Sequence, residues 1–111
     1  MQLIDLNDQL VKVILTGRLD TPGVARIETR FTAALVPDAK SAIVDLSGVE
    51  YVTSMGLRLL VSTTRHLAMR NAKLVLFAPH PRVNEVFDTA SLRDLIPVCD
   101  DEASARMAVA V

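Results

Sequence analysis

The sequence predicts a single α/β domain built on a mostly parallel sheet, and two observations carry that reading. Short runs rich in β-branched residues alternate with stretches whose apolar residues recur at steps of three and four. That alternation calls for strands joined by crossover helices. The opening two strands are separated only by Asn7-Asp8, too short a link for a crossover, so they form a hairpin and the one antiparallel pair. The expected order is β-β-α-β-α-β-α-β-α over residues 1–111, with about four helices.

Each element has its own signal. Leu3 to Leu6 is the first hairpin strand; Leu10 to Leu15 is the second and ends at Gly17. The period then changes, and Val24, Ile27, Phe31 and Leu35 fall on one helical face. Thr21 is placed to cap that helix, Pro22 suits its first turn, where a missing N–H costs nothing, and Pro37 ends it. Ala42 to Leu46 reads as a short strand followed by a Ser47-Gly48 turn. The second helix starts near Ser54 or Met55 and runs to about Arg70. Leu57, Leu60, Val61, Thr64, Leu67 and Ala68 form its inward stripe, with Arg58 and Arg65 facing water and Asn71 as the stop. Lys73 to Ala78 is apolar almost throughout, as in a strand covered on both faces. Beyond the loop bracketed by Pro79 and Pro81, Val83, Val86, Phe87 and Ala90 mark a short helix. Leu95 to Val98 is the last strand, and Asp101 to about Ala110 an alanine-rich helix.

Composition narrows the function. Half of the 111 residues are hydrophobic, ample for one core. Twelve basic against 13 acidic side chains leave a net charge of −1, which argues against a diffuse electrostatic grip on nucleic acid or an anionic membrane. One cysteine cannot make an intrachain disulfide or a cysteine-rich zinc site. The start, Met1-Gln2-Leu3-Ile4-Asp5, lacks the basic and apolar regions of a signal peptide. Apolar stretches such as Leu74 to Pro79 are far shorter than the roughly 20 residues of a membrane helix. The expectation is a cytoplasmic protein with no membrane insertion and no direct nucleic-acid partner.

Catalytic groups are scarce. His66 and His80 are the only histidines, and neither has a metal-type partner three or four residues away. Cys99 follows an apolar run as a small hydrophobe, and Asp100 and Asp101 beside it disfavour a thiolate. There is no Gly-x-Gly-x-x-Gly and no phosphate loop. No catalytic residue, metal or cofactor is expected. Two strand-to-helix junctions are richer: Gly17-Arg18-Leu19-Asp20-Thr21-Pro22 and Val52-Thr53-Ser54-Met55-Gly56-Leu57. Both fall at the carboxyl ends of strands, where α/β proteins place their sites. Ser54 is either the helix N-cap or a solvent-facing hydroxyl whose surroundings tolerate a phosphate. Gly56 costs about 1 kcal/mol of helix propensity against alanine, so it marks tight packing or the close approach of another molecule. Asp20 accepts hydrogen bonds from the first helical turn or contributes to a site. Asp45, inside an apolar strand, needs partners and meets backbone N–H groups at the strand end. Met55, Leu59, Ser62 and His66 form a second stripe, either a docking surface or a face packed under a neighbouring segment.

The run Val44-Asp45-Leu46-Ser47-Gly48-Val49-Glu50-Tyr51-Val52-Thr53-Ser54-Met55-Gly56-Leu57 resembles the signature of the STAS domain family, especially the bacterial anti-sigma factor antagonists. Gly17-Arg18-Leu19-Asp20 resembles that family's recurrent segment at the end of the second strand. The resemblance implies a switch protein. Family antagonists bind an anti-sigma factor that is also a serine kinase; phosphorylation of one serine ends the interaction, and a serine phosphatase restores it. That serine maps onto Ser54, the neighbouring acidic residue onto Asp20 and the loop glycine onto Gly56. Many phosphorylated members carry an aspartate where Thr53 stands and a serine or threonine where Met55 stands, and Thr53 is itself a second candidate acceptor. The candidate partner-binding residues are thus Asp20, Thr53, Ser54, Met55, Gly56 and Leu59. The alternative is a STAS subunit that is never phosphorylated and serves a transporter or sensor assembly as a binding module. A small enzyme or nucleotide-binding domain is the third class, since α/β folds host many functions.

Overall fold

The hairpin and the helical crossovers build one five-stranded sheet in the computed structural model, which describes residues 1–110. The expected domain limit at Val111 lies outside the described residues. The chain runs β1 (Gln2–Asn7), β2 (Leu10–Leu19), α1 (Thr21–Leu35), β3 (Ser41–Val52), α2 (Ser54–Ala68), β4 (Leu74–Phe77), α3 (Pro81–Thr89), a 3-10 turn (Leu92–Asp94), β5 (Val98–Cys99) and α4 (Glu102–Ala110). Strand order in space equals chain order. The pair β1–β2 is antiparallel, and every other neighbour is parallel.

Side-chain alternation along the central strands decides what covers each face. Ala42, Val44 and Leu46 of β3 and Leu74 and Leu76 of β4 join Phe31 and Leu35 of α1, Leu60 and Leu67 of α2 and Phe87 of α3 in the main core. Ile43, Val75 and Phe77 point the other way, onto Ala105 of α4. Helix α4 is also held by charge. The Lys12 ammonium of β2 lies 2.5 Å from Glu102, whose other oxygen accepts from Arg106.

Several expectations need correction. Strand β2 does not end at Gly17; it continues to Leu19. Gly17 takes φ +82°, a conformation that suits glycine, and the register with β3 shifts on both sides of it, so irregular pairing carries the strand onward. Ser47-Gly48 is likewise no turn, because β3 runs unbroken from Ser41 to Val52. Gly48 pairs with Thr16, and Asp45 stays at this irregular stretch by accepting the Ser47 N–H at 2.9 Å. Asp20, not Thr21, caps α1. The buried residues of α2 are Gly56, Leu59, Leu60, Thr63 and Leu67, whereas Leu57, Val61 and Thr64 are half-buried and Ala68 is exposed. The stripe is rotated because α2 packs on α1 as well as on the sheet. The last strand is Val98–Cys99 rather than Leu95 to Val98. Ile96 is fully buried at the end of the 3-10 turn, with its N–H on the Leu92 carbonyl, and Pro97 has no N–H to give a ladder. Asn71 does stop α2, in the left-handed conformation at φ +62°.

Two outcomes follow from this packing. Phe31→Ala, at a fully buried site in the main core, should lower unfolding free energy by about 3–5 kcal/mol in denaturant titrations. Lys12 first and Arg106 second hold the Glu102 carboxyl below its ordinary value. A depressed carboxylate stabilises the fold above its unfolded-state value, about 4.3, and that contribution disappears as pH falls through the folded-state value. Thermal melts should show Glu102→Gln less stable than wild type near neutral pH, with the gap closing below about pH 4.

Candidate functional site

Helices α1 and α2 start side by side because β2 and β3 end together: Leu19 and Val52 are their last paired residues. The residues that follow, Asp20 and Thr53, occupy the N-cap positions of the two helices. The Leu19 carbonyl ties the junctions to each other. It accepts the Thr53 N–H at 3.0 Å and the Thr53 hydroxyl at 3.1 Å. Thr53 therefore gives α2 no side-chain cap.

Each helix has glycine as its third residue, and both glycines are packing requirements. A Cβ on Gly56 would lie 2.7 Å from the Leu19 carbonyl oxygen and 2.9 Å from the Leu19 Cβ. On Gly23 it would lie 1.9 Å from the Arg18 carbonyl oxygen. The propensity cost noted for Gly56 is thus explained by packing within the chain. Gly23, just past the first junction read from the sequence, carries the same signal.

Asp20 accepts the Gly23 N–H at 2.9 Å through one oxygen and Arg18 Nε at 3.2 Å through the other. The Gly23 N–H chiefly holds its carboxyl below the usual aspartate range; burial opposes that, and Arg18 adds to the lowering. The Arg18 guanidinium sits 4.9 Å from the Tyr51 ring centroid, and Tyr51 is exposed. Asp20, Arg18 and Tyr51 form one polar edge beside the two helix starts; Arg18 and Tyr51 lie within the runs read from the sequence, but neither was assigned a role there.

Ser54 is the first residue of α2 and is exposed, with no hydrogen bond to its hydroxyl among the described residues. Thr53 is half-buried with its hydroxyl committed to Leu19. Met55 is half-buried against the core and Gly56 is buried. Leu59 is only 6% exposed, which favours the packed alternative over the open docking surface for this part of the second stripe. It packs toward α1, and with Val24, Glu28, Met55, Arg58 and His66 it lines a groove of about 240 Å³ between the helices. Five of the six candidate residues thus gather at the junctions, while Leu59 forms the adjoining groove wall. Sequence reading placed Arg58 in water but missed its position on that groove, because the groove depends on how α1 and α2 meet.

Of the groups considered for chemistry, His80 and Cys99 lie apart from this site, while His66 stands on the groove. His80 caps α3, and His66 is exposed on α2. The Cys99 thiol is pushed above its ordinary value by burial and then by Asp101 and Asp100. No cluster of three or more potential metal ligands occurs among the described residues, and no helix among them is long and apolar enough to cross a membrane.

Fold and site together define a small α/β domain that presents a serine hydroxyl beside an interhelical groove. The STAS domain family's sequence pattern matches residues 3–105, and the chain belongs to that family. It is 25% identical over 105 residues to BtrV of Bordetella bronchiseptica, named for an anti-sigma factor antagonist role, covering 95% of this chain and 90% of that one. It is 29% identical over 91 residues to the anti-sigma-B factor antagonist of Staphylococcus aureus, covering 82% of this chain and 84% of the relative. The Bacillus anti-sigma factor antagonist SpoIIAA has the same fold in two forms. The unphosphorylated form matches with a TM-score of 0.78 at 21% identity over 99% of this chain and 96% of SpoIIAA. The phosphorylated form matches with a TM-score of 0.73 at 22% identity over 96% and 97%.

The packing makes a counter-intuitive stability prediction. At an exposed helical site Gly→Ala stabilises by up to about 1 kcal/mol. Gly56→Ala should instead destabilise by about 1–3 kcal/mol, because the added methyl meets fixed backbone. Denaturant unfolding of the variant checks the sign.

Proposed function

We propose that this chain is an anti-sigma factor antagonist that works by partner switching, with Ser54 as its phosphorylation site. The observation that carries the reading is an exposed, unbonded serine hydroxyl at the first position of α2, next to a groove and fixed in place by the Leu19 clamp. The names of the sequence relatives and the two described forms of SpoIIAA support it.

In its unmodified form the chain docks on an anti-sigma factor that is also a serine kinase, and so frees the sigma factor. Asp20, Thr53, Ser54 and Met55 face the partner at the junction; Gly56 and Leu59 shape the surface from beneath. The kinase transfers the γ-phosphoryl group of ATP to Ser54 Oγ, the hydroxyl proton leaves, and ADP departs. Thr53 is not the acceptor in this reading, because its hydroxyl donates to the Leu19 carbonyl. The phosphate brings about −1.5 to −2 charges and three acceptor oxygens to a docking surface. Burying it against a partner is costly unless the partner supplies matched cations. Amide groups at the helix start accommodate it within the chain, so the domain stays folded. A phosphatase then hydrolyses the ester, returning the hydroxyl and inorganic phosphate. The chain itself performs no catalysis, and the reading requires the cytoplasm, where ATP and sigma factors meet.

Binding of the purified host kinase partner should be weakened at least about tenfold, or 1.4 kcal/mol, by Ser54→Asp and retained by Ser54→Ala. Titration calorimetry measures both. Equal affinity of the two variants would instead support the constitutive binding module.

A further inference from the structure

We infer that Arg58 is the internal counter-ion of a phosphate on Ser54, and that modification therefore draws a cation away from the groove as well as adding negative charge. The inference rests on the phosphorylation reading above. Ser54 and Arg58 are four residues apart in α2, which makes them neighbours on one face, and both are exposed. The Cα–Cβ bond of a helical residue tilts toward the N-terminus, which puts a phosphate on Ser54 within the reach of an arginine side chain four residues on.

Arg58 is also available. It takes part in none of the ion pairs or side-chain hydrogen bonds among the described residues, whereas Arg18 is held by Asp20 and Arg70 by the Val36 and Pro37 carbonyls. Helix α2 contains no aspartate or glutamate along its whole length. Glu28 of α1 lines the same groove and is the acid that faces Arg58 across it, with His66 the other titratable group there. Asp20, at the adjoining junction, has the same sign as a phosphate. That carboxylate and Arg18 are already committed to each other, so the unpaired guanidinium for a dianion on Ser54 is the one a turn along its own helix. The planar fork of arginine suits phosphate oxygens. In the unmodified chain Arg58 lines the groove and is offered to an acidic partner.

The test uses full-length protein with phosphoserine incorporated at position 54 during synthesis, so its outcome does not depend on any kinase. Phosphorus NMR follows the second ionisation of the phosphate with pH in wild type, Arg58→Gln and Arg65→Gln. Arg65 is an exposed cation farther along α2, and substituting it controls for net charge. The comparison is repeated in a His66→Gln background, which removes the imidazole that lines the same groove. Arg58→Gln should raise the midpoint by roughly half a pH unit, and Arg65→Gln should leave it in place. Equal midpoints in all three proteins would overturn the pairing. Far-UV circular dichroism verifies that each variant is folded. An unmodified Ser54 in host cells, with the Arg58-dependent shift present, would defeat the switch and leave the pairing intact. A modified Ser54 without the shift would do the reverse.

Discussion

The carbonyl of Leu19 is the fixed point around which the site is arranged. It ends β2, accepts both the backbone and the hydroxyl of Thr53, and presses on Gly56 where a side chain would otherwise be. Two helix starts that belong to different crossovers are thereby locked into one surface. The parallel pairing of β2 and β3 brings them close; the two glycines let them touch. Ser54 inherits its position from this clamp, since the residue before it is bonded and the second one after it is packed.

A modification site on such a scaffold can change its chemistry without changing its shape. The backbone around Ser54 is secured by the neighbouring strand rather than by the Ser54 side chain, so a phosphate replaces no internal bond. What it alters is the field over a groove whose floor is apolar and whose charged residues are Arg58 and Glu28, with the titratable His66 beside them. Electrostatic effects at a docking surface are strong when partner binding excludes water. In the proposed switch, one charge change decides between two partners while the fold stays as it is.

Much of the fold was legible in the sequence because alternation of strand and helix periods is a local signal. The hairpin, the three later crossovers, Pro37 and Asn71 were all read from neighbouring residues. Strand lengths were not, because the continuation of β2 past Gly17 and of β3 past Ser47-Gly48 depends on irregular pairing between them. Ile96 shows a second limit: it is fully buried, yet Leu95 to Pro97 lie between the 3-10 turn and β5, so an apolar run alone did not mark the strand. At the site, Ser54, Asp20 and Gly56 were legible from their places beside strand ends. The groove with Leu59 and Arg58 was not, since it is created by the packing of α1 on α2. The shared acceptor at Leu19 is a backbone atom and has no signature in residue type.

The central claim is that Ser54 is reversibly phosphorylated to set the choice of partner. Site-resolved mass spectrometry on the protein taken from its own host, in unstressed and stressed cells, tests it most directly. The account predicts phosphate on Ser54, with none on Thr53, at an occupancy that changes between the two conditions. Ser54 unmodified under every condition would contradict it and leave the chain a constitutive binding module.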